Sequence, residues 1–248
     1  MPPGMLYYLK KLYYPHLLKS ISENKFPYFP VVKRLVEPGN TVVDVGSNIG
    51  LVTVLLSRLV GDQGLVHSLE PIPVTFNLLA YNVKKLGLKN VYLSNFGLSN
   101  RDGFAEMEVP LYSAGYENFY QAHLVKGKGD TSLRIFAVKV RKLDSILSGL
   151  SSPISFVKVD VEGHMLEVIQ GATQVIKNFH PSFLIEVRGD PDDKKSRAYT
   201  LFELLLNEGY EPYYFNGNEL VKRSSIYHCE DYFFLSPAHI EKYKKRKI

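Results

Sequence analysis

The sequence contains a single cysteine, Cys229, and that scarcity removes several classes of protein. One thiol cannot build a disulfide framework, a cysteine-rich metal cluster or the three-cysteine iron–sulfur site of radical enzymes. A lone cysteine more often packs as a small hydrophobe than reacts, so no chemical role is expected for Cys229. There is also no run of about 20 uncharged apolar residues, the length that crosses a bilayer. Lys10 and Lys11 interrupt the N-terminal apolar stretch and no small-residue cleavage site follows, so this stretch does not read as a secretory signal. A cytoplasmic protein is the expectation. Internal repeats and low-complexity linkers are missing too.

What is present fits one α/β domain with decorations. The 248 residues are 45% hydrophobic and 22% charged, an ordinary balance for a packed core. The net charge of +5 is local. Residues 242–248 hold five basic groups and no acid, and without those five the remaining lysines and arginines equal the 25 acids. The basic segment 241–248 therefore reads as a solvated tail, with RNA or anionic lipid as a weaker reading. At the other end, residues 1–36 read as an aromatic, mildly basic arm. Pro15 is expected to break it into two short helices. Packing onto the main domain is the plain expectation for this arm, and an interfacial membrane contact is the sharper one.

The turn Glu37-Pro-Gly-Asn40 opens the main domain, 37–240. Strand patterns at 41–45, 65–69, 91–94, 154–159 and 183–187 alternate with helical patterns at 51–59, 73–86, 165–177 and 198–208. Such alternation predicts a Rossmann-like α/β fold, a doubly wound and mostly parallel sheet. Late strands at 213–215 and 232–235 predict an antiparallel hairpin at one edge. The stretch 101–141, with Gly103, Gly115, Gly127 and Gly129 among Tyr112, Tyr116, Phe119 and Tyr120, reads as a cap insertion that contributes substrate contacts. Its latter part, 132–140, alternates as a strand. In such sheets ligands bind beyond the carboxyl ends of the strands, so motifs in those turns matter most.

Four motifs lie there. Asp44-Val-Gly-Ser-Asn-Ile-Gly50 follows the first strand, and its glycines permit a tight turn and close backbone approach. It is not the dinucleotide pattern, because Asn48 and Leu51 stand where the second and third glycines belong. Nor is it a phosphate loop, since no Gly-Lys-Ser/Thr follows. Glu70-Pro71 ends the second strand, where a carboxylate can accept hydrogen bonds from vicinal ribose hydroxyls. Asn95-Phe-Gly-Leu-Ser99 follows the third strand and offers Asn95 to an adenine edge and Phe96 to its face. Lys158, Asp160, Glu162 and His164 alternate along 156–164, which puts all four on one face if the backbone stays extended. A Lys158–Asp160 ion pair, with Glu162 at a helix start, is the plain structural reading of that fourth motif.

These residues resemble the FkbM-like methyltransferase family, a branch of the S-adenosylmethionine-dependent enzymes. The resemblance covers about 37–190 and, more loosely, 231–237. It rests on Asp44 to Gly50, Glu70-Pro71, Asn95 with Leu98-Ser99, Leu143-Asp144, Lys158 to Gly163, Glu167 to Gly171 and Pro181 to Glu186. Two positions depart from the family pattern: Met165 stands where a Glu is frequent, and Gly97 where an Ala is usual. The resemblance implies a sheet of the class I methyltransferase type. It also implies that Gly46, Ser47, Asn48 and Gly50 line the methionine part of S-adenosylmethionine. Asp44 would orient that loop or the ammonium group, Glu70 with Pro71 the ribose, and Asn95 with Phe96 the adenine, with Asp160 bordering the cofactor.

For catalysis the expectation is a hydroxyl acceptor on a sugar, glycan or other small metabolite, near Asp160, Glu162 and His164. His164 is the preferred base, because its ordinary pKa lies near neutrality, and Asp160 is an orienter. A divalent metal on Asp160 and Glu162 is compatible with hard oxygen ligands, but nothing in the spacing demands one. The absence of an Asn/Asp-Pro-Pro-aromatic motif and of a Cys nucleophile beside Pro speaks against base methylation. The rivals are an RNA ribose or tRNA methyltransferase using the basic tail, a cofactor-binding scaffold without activity, and an NAD-dependent oxidoreductase.

Overall fold

A computed structural model describes residues 3–110, 122–125, 133–147, 152–224 and 229–245 of the chain. From the N-terminus, α1 (Pro3–Lys19) leads through a single 3-10 turn (Glu23–Lys25) to α2 (Phe29–Leu35). Alternation then begins: β1 (Thr41–Val45), α3 (Leu51–Val60), β2 (Leu65–Leu69), α4 (Pro73–Leu86) and β3 (Val91–Ser94). Four strands follow in the insertion, β4 (Gly97–Leu98), β5 (Gly103–Val109), β6 (His123–Leu124) and β7 (Arg134–Arg141). The main sheet resumes through α5 (Leu143–Leu147), β8 (Ile154–Val159), α6 (Met165–Gln170), α7 (Thr173–Phe179), β9 (Ser182–Glu186) and α8 (Arg197–Asn207). The chain closes with β10 (Glu211–Phe215), β11 (Leu220–Lys222), β12 (Asp231–Leu235) and α9 (Pro237–Lys245).

The large sheet runs β11-β10-β12-β9-β8-β1-β2-β3. From β9 to β3 the neighbours are parallel, whereas β12 is antiparallel to β9 and β10 to β12. Strand order reverses between β1 and β8, so the crevice at their carboxyl ends is the expected ligand position. The central strands are apolar on both faces because helices cover both. Val43, Val45, Val157, Val159, Phe183 and Ile185 pack toward α6, α7 and α8, while Val42, Val66, Phe156 and Leu184 pack toward α2 and α3. The insertion folds as a second sheet, β4-β7-β5-β6, whose inner side chains Met107, Val109, Val138 and Val140 cluster with Ile72.

Several sequence expectations need correction. The late hairpin exists, but β12 is wedged between β9 and β10, and the edge belongs to β11. Three residues are too short to show a period, so that strand was not legible. The helix expected over 165–177 is two helices. Gly171 separates them where the chain presses on Ser99, whose carbonyl oxygen lies only 2.1 Å from where a Cβ would stand. Pro15 does not split the arm: α1 runs through it. A proline removes one donor, and here α1 gains other support. The Arg58 guanidinium donates to the carbonyls of Leu18, Lys19 and Ile21 at its C-terminal end. The arm itself packs onto the main domain, with Leu18, Ile21, Phe29, Val32 and Leu35 in the core. At the other end Tyr243 is buried and accepts the Leu220 N–H, so the fold continues past residue 240.

Candidate active site

Three turns at the carboxyl ends of β1, β2 and β8 are stitched to one another. The amides of Gly46 and Ser47 both donate to Leu69 O at 3.0 Å, and Asp160 N–H donates to Val45 O at 3.1 Å. Gly46 has φ 77° and faces the β8 turn so closely that a Cβ would stand 1.9 Å from Asp160 O. Only glycine meets both conditions. Asn48 is also left-handed, at φ 51°, and its side chain accepts the Ile49 N–H. Its own N–H donates to Glu70 Oε2 at 3.0 Å. Gly50 caps α3 behind this loop and faces Leu79 rather than the crevice.

Asp44 is fully buried. Its Oδ2 accepts the Thr53 hydroxyl at 2.6 Å, but its Oδ1 is buried with no hydrogen-bond partner among the described residues. Burial pushes the Asp44 carboxyl up, opposed by the Lys158 ammonium and the Thr53 hydrogen bond. Glu70 accepts Asn48 N–H on one oxygen and Ile72 N–H on the other. A carboxylate has about four acceptor positions, so each oxygen keeps one. Burial raises Glu70 to about 7 against those two N–H groups, with Asp44 adding to the rise.

Asp44, Gly46, Ser47, Asn48, Glu70, Pro71, Asp160, Glu162 and His164 line one cavity, so the structure brings most of the predicted residues together. Asn95 and Phe96 do not line it. The Asn95 amide donates to the carbonyls of Glu70 and Pro71, which braces the Glu70 turn from behind. Phe96 packs against the core with the Arg141 guanidinium over its ring. The wall expected from them is made instead by Ile72, Leu98 and the cap residues Met107, Val138 and Val140. Phe26 and Tyr28, from the segment between α1 and α2, close another side. No sequence signal marked these two. The cap wall was hidden because the outward Phe104 and the buried Glu108 obscured the alternation of β5.

The segment after β8 is not extended. Glu162 and Gly163 have φ of 44° and 85°, so the backbone folds into a turn and the predicted single face does not form. Within it, Lys158 Nζ lies 2.9 Å from Asp160 Oδ2. Burial disfavours the Lys158 ammonium, but Asp160 and Asp44 outweigh burial and raise its pKa. Conversely burial opposes the Asp160 carboxylate, yet Lys158 holds it below its usual range. Lys158 is buried but the Asp160 side chain is 43% exposed, so water screens the pair and Lys158→Met should lower stability by about 1–3 kcal/mol at neutral pH. Asp160, with a depressed pKa, contributes stability above the ordinary carboxylate range and loses it as pH falls through its folded value. The deficit of the variant should therefore shrink on acidification, as urea titrations at neutral and acidic pH would show. A deficit independent of pH would assign Lys158 to packing alone.

His164 starts α6. Its Nδ1 lies 3.3 Å from Glu167 Oε2 and its Nε2 3.0 Å from Ser99 Oγ. A carboxylate only accepts, which assigns the proton to Nδ1, so Nε2 accepts from the Ser99 hydroxyl. Arg197 in turn holds Glu167. Beyond Asp160, the carboxylates of Glu162 and Glu186 bring oxygens within 4.8 Å of one another. Arg188 supplies positive charge there, 2.8 Å from Glu186 and 3.4 Å from Glu162. Burial, then Asp160 and Glu162, raises Glu186 to about 8. Glu186 went unmarked as a site residue, although its position at a strand's carboxyl end could have signalled it.

The pattern of the FkbM methyltransferase domain matches residues 44–212, well over half of the sequence. The chain belongs to the FkbM methyltransferase family. Among curated proteins, it is 29% identical over 168 residues to the hexuronic acid methyltransferase AglP of Haloferax volcanii, covering 66% of this chain. The match spans 64% of that relative's own length. Among solved structures, the methyltransferase FkbM from Methylobacillus flagellatus superposes with a TM-score of 0.51 at 16% identity. It covers 81% of this chain and 45% of that one. The O-methyltransferase from Bacillus cereus, solved with S-adenosylhomocysteine, gives 0.50 at 13% identity, covering 87% and 81%. At these identities the two structures support the fold, which is the class I methyltransferase arrangement.

Proposed function

We propose that this FkbM-family chain transfers a methyl group from S-adenosylmethionine to a hydroxyl of a sugar. The observation that carries the reading is the convergence of Asp44 Oδ1, the open acceptor positions of Glu70 and His164 on one cavity. A buried, unpartnered carboxylate oxygen is costly unless a ligand donor meets it, and a ligand ammonium group suits it. Gly46 lets the β1 and β8 turns close on each other, and Glu70 can accept two ribose hydroxyls. Ile72, Leu98 and Met107 offer an apolar slot for a nucleobase, in place of Asn95 and Phe96. When bound, S-adenosylmethionine supplies a methyl group on a positively charged sulfur that departs neutral.

The residues of the chain then have separable tasks. His164 accepts the proton of the acceptor hydroxyl on Nε2 once that hydroxyl takes the place of the Ser99 hydroxyl, which donates to Nε2 in the free chain, while Glu167 holds its Nδ1–H. Asp160, balanced by Lys158, borders the acceptor without carrying a free charge. Beside Glu162 and Glu186, Arg188 supplies positive charge of the kind a divalent metal would bring. A sugar acceptor is supported by the Haloferax relative, a hexuronic acid methyltransferase. The RNA reading loses weight at Lys242, the first base of the tail, which is tied to Leu35 O and Glu37.

Glu70 makes the cofactor step pH-dependent. Its raised pKa means that its contribution to the stability of the free chain is full below about 4.5 and is lost as pH rises through about 7. Ribose hydroxyls donate to the ionised form, so affinity runs the other way. Cofactor affinity should rise about tenfold between roughly pH 6 and pH 8, and Glu70→Gln should be weak and flat across that range. Calorimetric titration reads both. Radiolabelled methyl transfer onto a panel of sugars and uronic acids, with RNA alongside, tests the acceptor. Label on a sugar hydroxyl is expected. Label on RNA would replace the reading, and cofactor binding with no label on any hydroxyl would leave a scaffold.

A further inference from the structure

The helix α1 turns an apolar face to water. Met5, Tyr8, Leu9, Leu12 and Tyr13 are between 44% and 62% exposed, and they recur at i, i+3, i+4, i+7 and i+8, one continuous stripe. A surface helix ordinarily shows water its polar side. Here the opposite side packs on α4, with Leu18 buried and the Lys11 ammonium 5.1 Å from the Tyr81 ring. The other large apolar side chains exposed among the described residues, Tyr92, Phe104, Ile135 and Leu206, sit singly on four different elements. Scattered residues of that kind need no partner, whereas a contiguous stripe does.

Charge identifies the partner. No acidic residue occurs in α1, which carries Lys10, Lys11, His16 and Lys19. His16 and Lys19 extend the same exposed stripe at its C-terminal end. On the neighbouring α4, Lys85 adds an ammonium 5.7 Å from the Tyr81 ring that Lys11 also approaches. We propose that α1 is an interfacial helix that lies along an anionic membrane surface. Its tyrosines suit the headgroup level, its leucines and methionine reach the acyl boundary, and Lys19, exposed at the end of the stripe, meets lipid phosphates. No helix among the described residues is long and apolar enough to cross a membrane, so α1 lies on the bilayer. A second copy fits less well, because an acid-free helix facing itself brings like charges together with no carboxylate between them.

Vesicle flotation of the full chain tests this. With vesicles of equimolar phosphatidylcholine and phosphatidylglycerol the chain should float, with phosphatidylcholine alone it should float far less, and added salt should release it. L9E/L12E changes two exposed positions outside the cavity. It should reduce flotation at least about tenfold while leaving methyl transfer to a soluble acceptor unchanged. The sequence has no tryptophan, so Tyr13→Trp provides a single emitter whose spectrum should shift to the blue on anionic vesicles and not on neutral ones. The proposal is overturned if the chain stays in the aqueous fraction, or if L9E/L12E floats like the parent. It is equally overturned if sedimentation shows a dimer that L9E/L12E dissociates, or if the stripe binds single-stranded RNA instead of vesicles.

Discussion

Gly46→Ala is expected to abolish measurable binding of S-adenosylmethionine, a loss of more than about a thousandfold or roughly 4 kcal/mol. Two independent causes act at this residue. An alanine in the left-handed region costs about 1–2 kcal/mol, and Gly46 sits at φ 77°. The new methyl would also stand 1.9 Å from Asp160 O. That oxygen is main chain, so it cannot swing aside as a flexible side chain could. Relief requires the β1 and β8 turns to separate, which breaks the Asp160 N–H to Val45 O bond and displaces Asn48 from Glu70. Cofactor binding should fail while the remote cores persist. Calorimetry with S-adenosylmethionine, paired with circular dichroism to follow the fold, checks it. Ordinary affinity in a folded variant would show that the two turns are not coupled.

The second large effect is expected at His164. Removing a general base costs about 100- to 10,000-fold in rate, and His164→Ala should lose turnover in that range with cofactor affinity unchanged. Glu167→Gln should lose less. A neutral amide can still meet Nδ1–H through its oxygen, but it stabilises the protonated imidazole less, and Arg197 loses its charged partner. The distinguishing readout is the pH profile: Glu167→Gln should move the acidic limb of turnover, where the base becomes deprotonated, to lower pH, since the carboxylate no longer favours the protonated ring. Unchanged turnover in His164→Ala would transfer the role to the Asp160, Glu162 and Glu186 group.

Much of this site was legible in the sequence because its turns carry strong local chemistry. Gly46 and Gly50 mark backbone that other residues rarely adopt, and Glu70 follows a strand buried on both sides. Apolar strands alternating with helices specify a mostly parallel sheet for the same reason. What was missed depends on contacts distant in sequence. Asn95 looked like a ligand because its amide is polar and follows a strand, but Pro71 and Glu70 carbonyls consume it. The extended run expected at 158–164 failed because Glu162 and Gly163 turn left-handed, which a period-two pattern does not reveal. The arm was expected to pack on the main domain, but not that Phe26 and Tyr28 would wall the cavity; nothing local to 26–28 encodes that meeting. The strand β5 was obscured by its outward Phe104 and its buried Glu108, and α1 persisted through Pro15 because Arg58, far along the chain, satisfies its last carbonyls.

The most direct test is a crystal structure of the chain with S-adenosylhomocysteine. The account predicts the ribose hydroxyls on Glu70, the amino group on Asp44 Oδ1 beside the 46–48 turn, and the base against Ile72, Leu98 and Met107. A nucleoside seated elsewhere, with Glu70 and the 46–48 turn facing separate volumes, would contradict it.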